Sequence, residues 1–259
     1  MKTATPSPLQ NFFGALDMSF FDQVLLTFAA AGTSLISGVV GMAGGVTLLA
    51  IMTFFLNWQE LIPIHGVVQL VSNSSRAFFL RNHIIKSILF HFLIGIPFGV
   101  GFAIFLVKEL SSKSTPLVFI TILIGYVLLK PKKLPPIKIP PIGYIFVGIV
   151  SGFLGILVGA TGPFLAAFFV RDDYDKEQIV ATKAALQLST HMLKIPAFLY
   201  LGFNYINYLP LITVMSFAAI MGTRLGVHIL GKTSDRLFRI LYQIALATAA
   251  LRLLYKILI

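Results

Sequence analysis

The sequence predicts an all-α integral membrane protein of two inverted repeats, each a glycine-broken segment (re-entrant or hairpin) followed by three transmembrane helices. Three observations predict it. The first is composition: 57% of the 259 residues are hydrophobic and 11% are charged, whereas soluble domains carry about 25% charged residues. Several apolar runs approach the ~20 residues that cross a bilayer, and none alternates in the manner of an outer-membrane barrel strand. The second is an internal match. "SGVVGMAGGVT" at Ser37–Thr47 falls on "SGFLGILVGAT" at Ser151–Thr161 without a gap, and "HGVVQLVSNSSR" at His65–Arg76 falls on "KAALQLSTHMLK" at Lys183–Lys194. Gly95 and Gly99 then match Gly222 and Gly226. The third is the charge: the net +11 is carried mostly between apolar runs, the pattern that sets membrane orientation.

In chain order, residues 1–19 form an N-terminal segment without a continuous apolar core, so a cleaved signal peptide is not expected. Repeat 1 covers 20–130: a segment at 20–57 broken at Gly41–Gly45, then spans at 62–81, 84–107 and 114–130. A basic, Pro-rich connector at 131–141 follows. Repeat 2 covers 142–259: a segment at 142–170 broken at Gly155–Pro163, then spans at 178–201, 205–230 and 236–257. Each arm of segment 142–170 has about 14 residues, or ~20 Å at 1.5 Å per residue, short of the ~30 Å hydrocarbon core. Each broken segment is therefore one interrupted span or a hairpin that returns to its own side. As hairpins, they put the basic loops 81–86, 130–138 and 232–239 on one side; as single spans, they divide those loops. The positive-inside rule favours the hairpin, with these loops cytoplasmic and both termini outside. Arg252 and Lys256 run against this and are assigned to snorkelling.

Residues three and four apart share a helix face. His65, Gln69, Ser72, Asn73 and Arg76 therefore form one polar stripe, and Lys183, Gln187, Thr190, His191 and Lys194 form a second at identical spacing. A central Arg or Lys facing lipid is unfavourable by about 2.5–3.5 kcal/mol on insertion scales, so both stripes should face inward. Such groups also bond helix to helix in membranes; that reading suits Ser74 and Ser75, and for Ser72 and Thr190 it competes evenly with ligand contact. The stripes hold three cations, two histidines and no carboxylate. Unpaired cations in a low-dielectric cavity call for an anion, whereas a calcium-like or sodium-like site would want carboxylates. The glycine breaks point the same way, because they free backbone N–H groups at Gly44, Gly45, Thr161 and Gly162 for an anion, and paired helix breaks mark transport sites. Rocking of one repeat against the other would alternate access. His65 or His191 could carry a coupling proton.

With no Cys in the chain, thiol chemistry and disulfides are excluded. No catalytic motif appears, so an enzyme is not expected, nor is a cofactor or metal. Nucleic-acid binding is not expected either, for want of a continuous basic face. The expected partners are a small anion and the lipid bilayer; oligomeric state leaves no signal.

Taken together, "SGVVGMAGGVTLLAIM", "IHGVVQLVSNSSRAFFLRNHI", "SGFLGILVGATGPFLAAFFV", "ATKAALQLSTHMLKIPAFLYLGF" and "GTRLGVHILG" resemble the sulfite exporter TauE/SafE family of bacterial inner-membrane permeases. The resemblance runs from about residue 20 to near the end. It implies a secondary carrier exporting sulfite, sulfoacetate or related organosulfonates. The first break departs from the family's fuller glycine run, with Met42 and Ala43 in "GMAGG". The alternatives are an anion channel, a permease for another small organic anion, and a membrane partner subunit that transports nothing.

Overall fold

The computed structural model describes residues 18–41, 43–109, 138–169, 173–238 and 240–241. The N-terminal segment up to residue 17, the span expected at 114–130, the connector up to residue 137 and nearly all of the span expected at 236–257 lie outside the described residues. Among the described residues all regular structure is helical: α1 (Phe20–Val40), α2 (Gly44–Met52), α3 (Trp58–Phe79), α4 (Lys86–Glu109), α5 (Tyr144–Leu157), α6 (Gly162–Ala166), α7 (Lys176–Tyr200) and α8 (Leu209–Lys232). The broken segments are thus α1–α2 and α5–α6. The arms are unequal: α5 has 14 residues, but α1 has 21, about 30 Å and long enough to cross a bilayer alone.

Local sequence explains the ends. The Ser19 hydroxyl accepts the Asp22 N–H at 3.1 Å and starts α1. Asn57 with Glu60 and Asp175 with Gln178 form capping boxes at corresponding positions before α3 and α7. α1 stops at Gly41, whose φ of 73° is open to glycine and whose N–H donates to Ser37 O at 2.8 Å. The chain then turns back on itself: a Cβ on Gly44 would collide with Thr33 O and Ser37 Oγ of α1.

The helices assemble into two groups that exchange an element between repeats. α1, α2 and α3 take α8 from the second repeat; α5, α6 and α7 take α4 from the first. Both exchanges use the same backbone approach. A Cβ on Gly95 or Gly99 would strike Ile145 O or Ile149 O of α5. A Cβ on Gly222 or Gly226 would strike Ala31 O or Leu35 O of α1, the positions matched by the duplication. This is small-residue packing, which lets membrane helices meet backbone to backbone. Each group has its own apolar core. Leu26, Leu48, Ile64, Val68, Met215 and Ala219 lie in one; Phe92, Ile96, Tyr144, Val147, Leu165 and Leu186 lie in the other, which the last turns of α1 and α8 also join through Val39, Val40 and Leu230.

The outside is as apolar as the inside: Phe28, Phe54, Phe98 and Phe217 are each more than 65% exposed. Phe20–Val40, Lys86–Lys108 and Tyr205–Lys232 are long and apolar enough to span a membrane. Lipid supplies the solvent that such a surface needs. The two polar-striped helices α3 and α7 pack against each other between the groups.

Candidate functional site

The seam between α3 and α7 is antiparallel. Gly66, near the start of the first stripe, lies against the Lys194 stem at the end of the second. At the other end, Ala77 packs with Ala184 and Ala185. All ten stripe residues are buried, with His65, Gln69, Ser72, Asn73, Arg76, Lys183, Gln187, Thr190, His191 and Lys194 each less than 9% exposed. The duplication thus brings both stripes face to face.

At the His65–Lys194 end the glycine breaks join them. His65 Nε2 donates to Gly45 O at 2.8 Å, and its ring meets that of His191 edge-on with centroids 6.0 Å apart. Lys194 Nζ donates to Gly159 O at 2.5 Å. Glycine is required at two points here, Gly155 and Gly159. Gly155 is held by Thr190, whose Cγ2 a Cβ would approach to 2.7 Å, and Gly66 packs on the lysine stem, where a Cβ would make an ordinary 3.4 Å contact. Gly159 takes φ +85° to present its carbonyl. Asn73 Nδ2 donates to Gln69 O at 2.8 Å, tying two stripe residues together.

These parts enclose a small cavity lined by Ser37, Ala43, Gly45, Gln69, Gln187 and His191, with Val46, His65, Ala160 and Gly162 completing the wall. Its room of about 10 Å³ suits about one water. Buried polar groups normally find partners, yet His65 Nδ1, Asn73 Oδ1, Thr161 Oγ1 and His191 Nδ1 have none among the described residues. With Arg76 Nε, five of the orphan atoms in the described residues therefore belong to the stripes and the second break. No carboxylate lines the cavity, and no group of three metal-ligating side chains occurs among the described residues.

Of the fourteen residues expected to bind substrate, Gly45, His65, Gln69, Gly162, Gln187 and His191 line this cavity. Asn73 contacts its wall through Gln69, and Lys194 bonds Gly159, the residue before the wall's Ala160. Thr161 sits at the second break with its hydroxyl unpaired. The others lie elsewhere. Gly44 is packed against α1. Ser72 Oγ bonds Ser34 Oγ and Thr223 Oγ1, both at 3.1 Å, in a hydroxyl cluster joining α1, α3 and α8. Arg76 Nη2 reaches that cluster at Ser72 Oγ, 3.4 Å away, and Lys183 lies within electrostatic reach of Arg76. Thr190 Oγ1 donates to Leu186 O of its own helix. Sequence reasoning overlooked Ser37, Ala43, Val46 and Ala160 in the wall. Ser37 was within reach, because its match to Ser151 places a hydroxyl one turn before each break.

A family model described as "Sulfite exporter TauE/SafE" matches residues 25–253. No curated protein and no solved structure matches the chain.

Proposed function

The chain belongs to the sulfite exporter TauE/SafE family, a family of membrane transporters, and from that premise we propose that it exports small sulfur-containing anions, sulfite or organosulfonates such as sulfoacetate, by alternating access. The bacterial inner membrane is the proposed location, with the basic loops on the cytoplasmic side. One observation carries the reading: both glycine breaks and both polar stripes, drawn from the two repeats, converge on one buried cavity. That cavity has two histidines and no carboxylate in its wall, and Lys194 lies behind it, bonded to Gly159 next to the wall's Ala160. A cation without an acidic partner in a water-poor interior favours an anionic guest. Gln69 and Gln187 supply amide hydrogen bonds from matched positions, and Arg76 and Lys183 add positive potential from the far end of the seam. The antiparallel α3–α7 pairing supports inverted rather than parallel repeats.

The same geometry bears on how access would alternate. An oxyanion of four or more heavy atoms is larger than the ~10 Å³ cavity, so loading requires the walls to part. Rocking one repeat against the other would have to break the glycine contacts of α4 on α5 and of α8 on α1. Movement of the two exchanged groups across the α3–α7 seam breaks neither. The chain passes between the groups at residues 80–85 and 201–208, and Gly202 there holds φ +91° with open space around it. Hinges of this kind absorb a change of backbone angle in a few residues.

The test is a thermal-shift panel on the purified protein with sulfite, sulfate, sulfoacetate, taurine and simple carboxylates, followed by counterflow in proteoliposomes. A guest that binds the folded state raises its stability. The expected outcome is stabilisation by a sulfur oxyanion and saturable counterflow of it. Stabilisation by an amine or a sugar alone overturns the assignment of charge, and non-saturating flux without counterflow assigns a channel instead.

A further inference from the structure

Building on the reading of the cavity as an anion site, we propose that an anion enters it together with one proton, which is taken up at His65. The argument starts from a hydrogen bond with only one direction. Gly45 O can only accept, so His65 Nε2, 2.8 Å away, must carry the donated hydrogen. A neutral imidazole has one N–H, so Nδ1 is then a bare lone pair, and it is buried without a partner among the described residues. The amide of Asn73, about two turns along the same stripe, is arranged alike. Asn73 Nδ2 is engaged as donor to Gln69 O, so Asn73 Oδ1 is the remaining acceptor, and it too is buried without a partner.

Bare acceptors on His65 in the wall and on Asn73 further along its stripe do not complement an oxyanion, whose oxygens are also acceptors. A proton on Nδ1 turns one of them into a charged donor while leaving the bond to Gly45 O intact. The surroundings say when that proton is welcome. α7 brings His191 and Lys194 to the ring, and Arg76 lies further along α3 and Lys183 further along α7. α2 and α6 contain no ionisable residue. Arg224 and His228 of α8 are exposed on the outer surface, and α1 carries only Asp22, in its first turn. The ring therefore faces cations and no carboxylate among the described residues. An added charge is offset only when an anion is present, and by linkage the proton strengthens anion binding as much as the anion strengthens proton binding.

The probe is methanesulfonate, which carries no titrating proton in the neutral range, so any proton taken up on binding goes to the protein. Calorimetry at one pH in two buffers of different ionisation enthalpy counts that proton. The expected result is about one proton taken up per anion bound, with affinity weakening by up to about tenfold per pH unit above neutrality. His65→Gln, which retains an amide N–H for Gly45 O, should bind with uptake near zero and a flat pH profile; His191→Gln should keep the uptake. Anion binding by the unaltered protein without proton uptake overturns the inference, a readout that needs no variant to fold. Uptake that survives His65→Gln but is lost in His191→Gln overturns the assignment to His65. If neither methanesulfonate nor sulfite binds the folded protein at any pH, the anion-site reading itself fails, and this inference fails with it.

Discussion

Arg76 and Lys194 hold the same position in the two repeats, yet Arg76 Nη2 reaches Ser72 Oγ at 3.4 Å in a hydroxyl cluster, while Lys194 Nζ donates to Gly159 O at 2.5 Å beside the cavity. The difference begins with their neighbours. Ser72 finds Ser34 and Thr223 on the helices around it; the matched positions in the other group are Thr190, Gly148 and Ile96, which offer no such cluster. Lys194 instead runs past Gly66 to the second break, where it donates to Gly159 O. The matched halves share the scaffold and the glycine contacts, but their chemistry differs along the seam. One cation binds the second break next to the cavity's wall, and its counterpart is tied into a hydroxyl cluster.

The largest expected effect tests what the two halves share. Gly99→Leu and Gly226→Leu each force a side chain into an opposing backbone, at Ile149 O and at Leu35 O. Each should destabilise by about 3 kcal/mol, the upper end for overpacking, seen as a large loss of folded, monodisperse protein in detergent. If only one of the pair does so, the matched exchange of helices is wrong.

The second prediction tests where the halves part. Lys194→Met should reduce anion-dependent thermal stabilisation and counterflow by about tenfold or more, as expected for a lost charge-assisted contact of ~1.5–3 kcal/mol. Arg76→Met should change flux less, and stability little, since well-packed apolar replacements of buried charges are often neutral. Equal losses in both would break the asymmetry.

A smaller effect separates the two hydroxyls. Ser72→Ala removes two interhelical bonds, worth ~0.6 kcal/mol each in membranes, so a loss of about 1 kcal/mol is expected by thermal denaturation. Thr190→Val removes a bond within its own helix and should cost about half as much or less. The smallest effect carries the opposite sign. Ala43 holds φ 73° and is the one non-glycine residue with positive φ among the described residues. Ala43→Gly should stabilise by about 1 kcal/mol, whereas its matched position, Leu157, ends a regular helix and should lose stability on the same change.

How much of this was legible in the sequence follows from what a pattern can encode. A 3.6-residue period reveals a face, so the two stripes were readable, and their match said they share an environment. The breaks were readable because glycine recurs there at matched positions. A period does not reveal depth, so Ser72 and Arg76 could not be told apart from Gln69 and Lys194. Their partners, Ser34 and Thr223, belong to no matched polar stripe. Gly95 and Gly99 suit a close helix contact, but a small-residue motif does not name its partner, and the structure supplies it as α5 of the other half. The length of α1 escaped because its arm was judged by that of α5.

The exchange of α4 and α8 also has a consequence for how the chain is made. α1 is among the first helices to leave the ribosome, and α8, whose Gly226 must meet Gly38 backbone to backbone, emerges when most of the chain has been synthesised. Among the described residues, the atoms closest to a Cβ on Gly38 of α1 all belong to α8, so this face waits for a helix of the other half. Under the proposed two-repeat reading, a chain of one repeat would pair as two copies, each lending its fourth helix to the other.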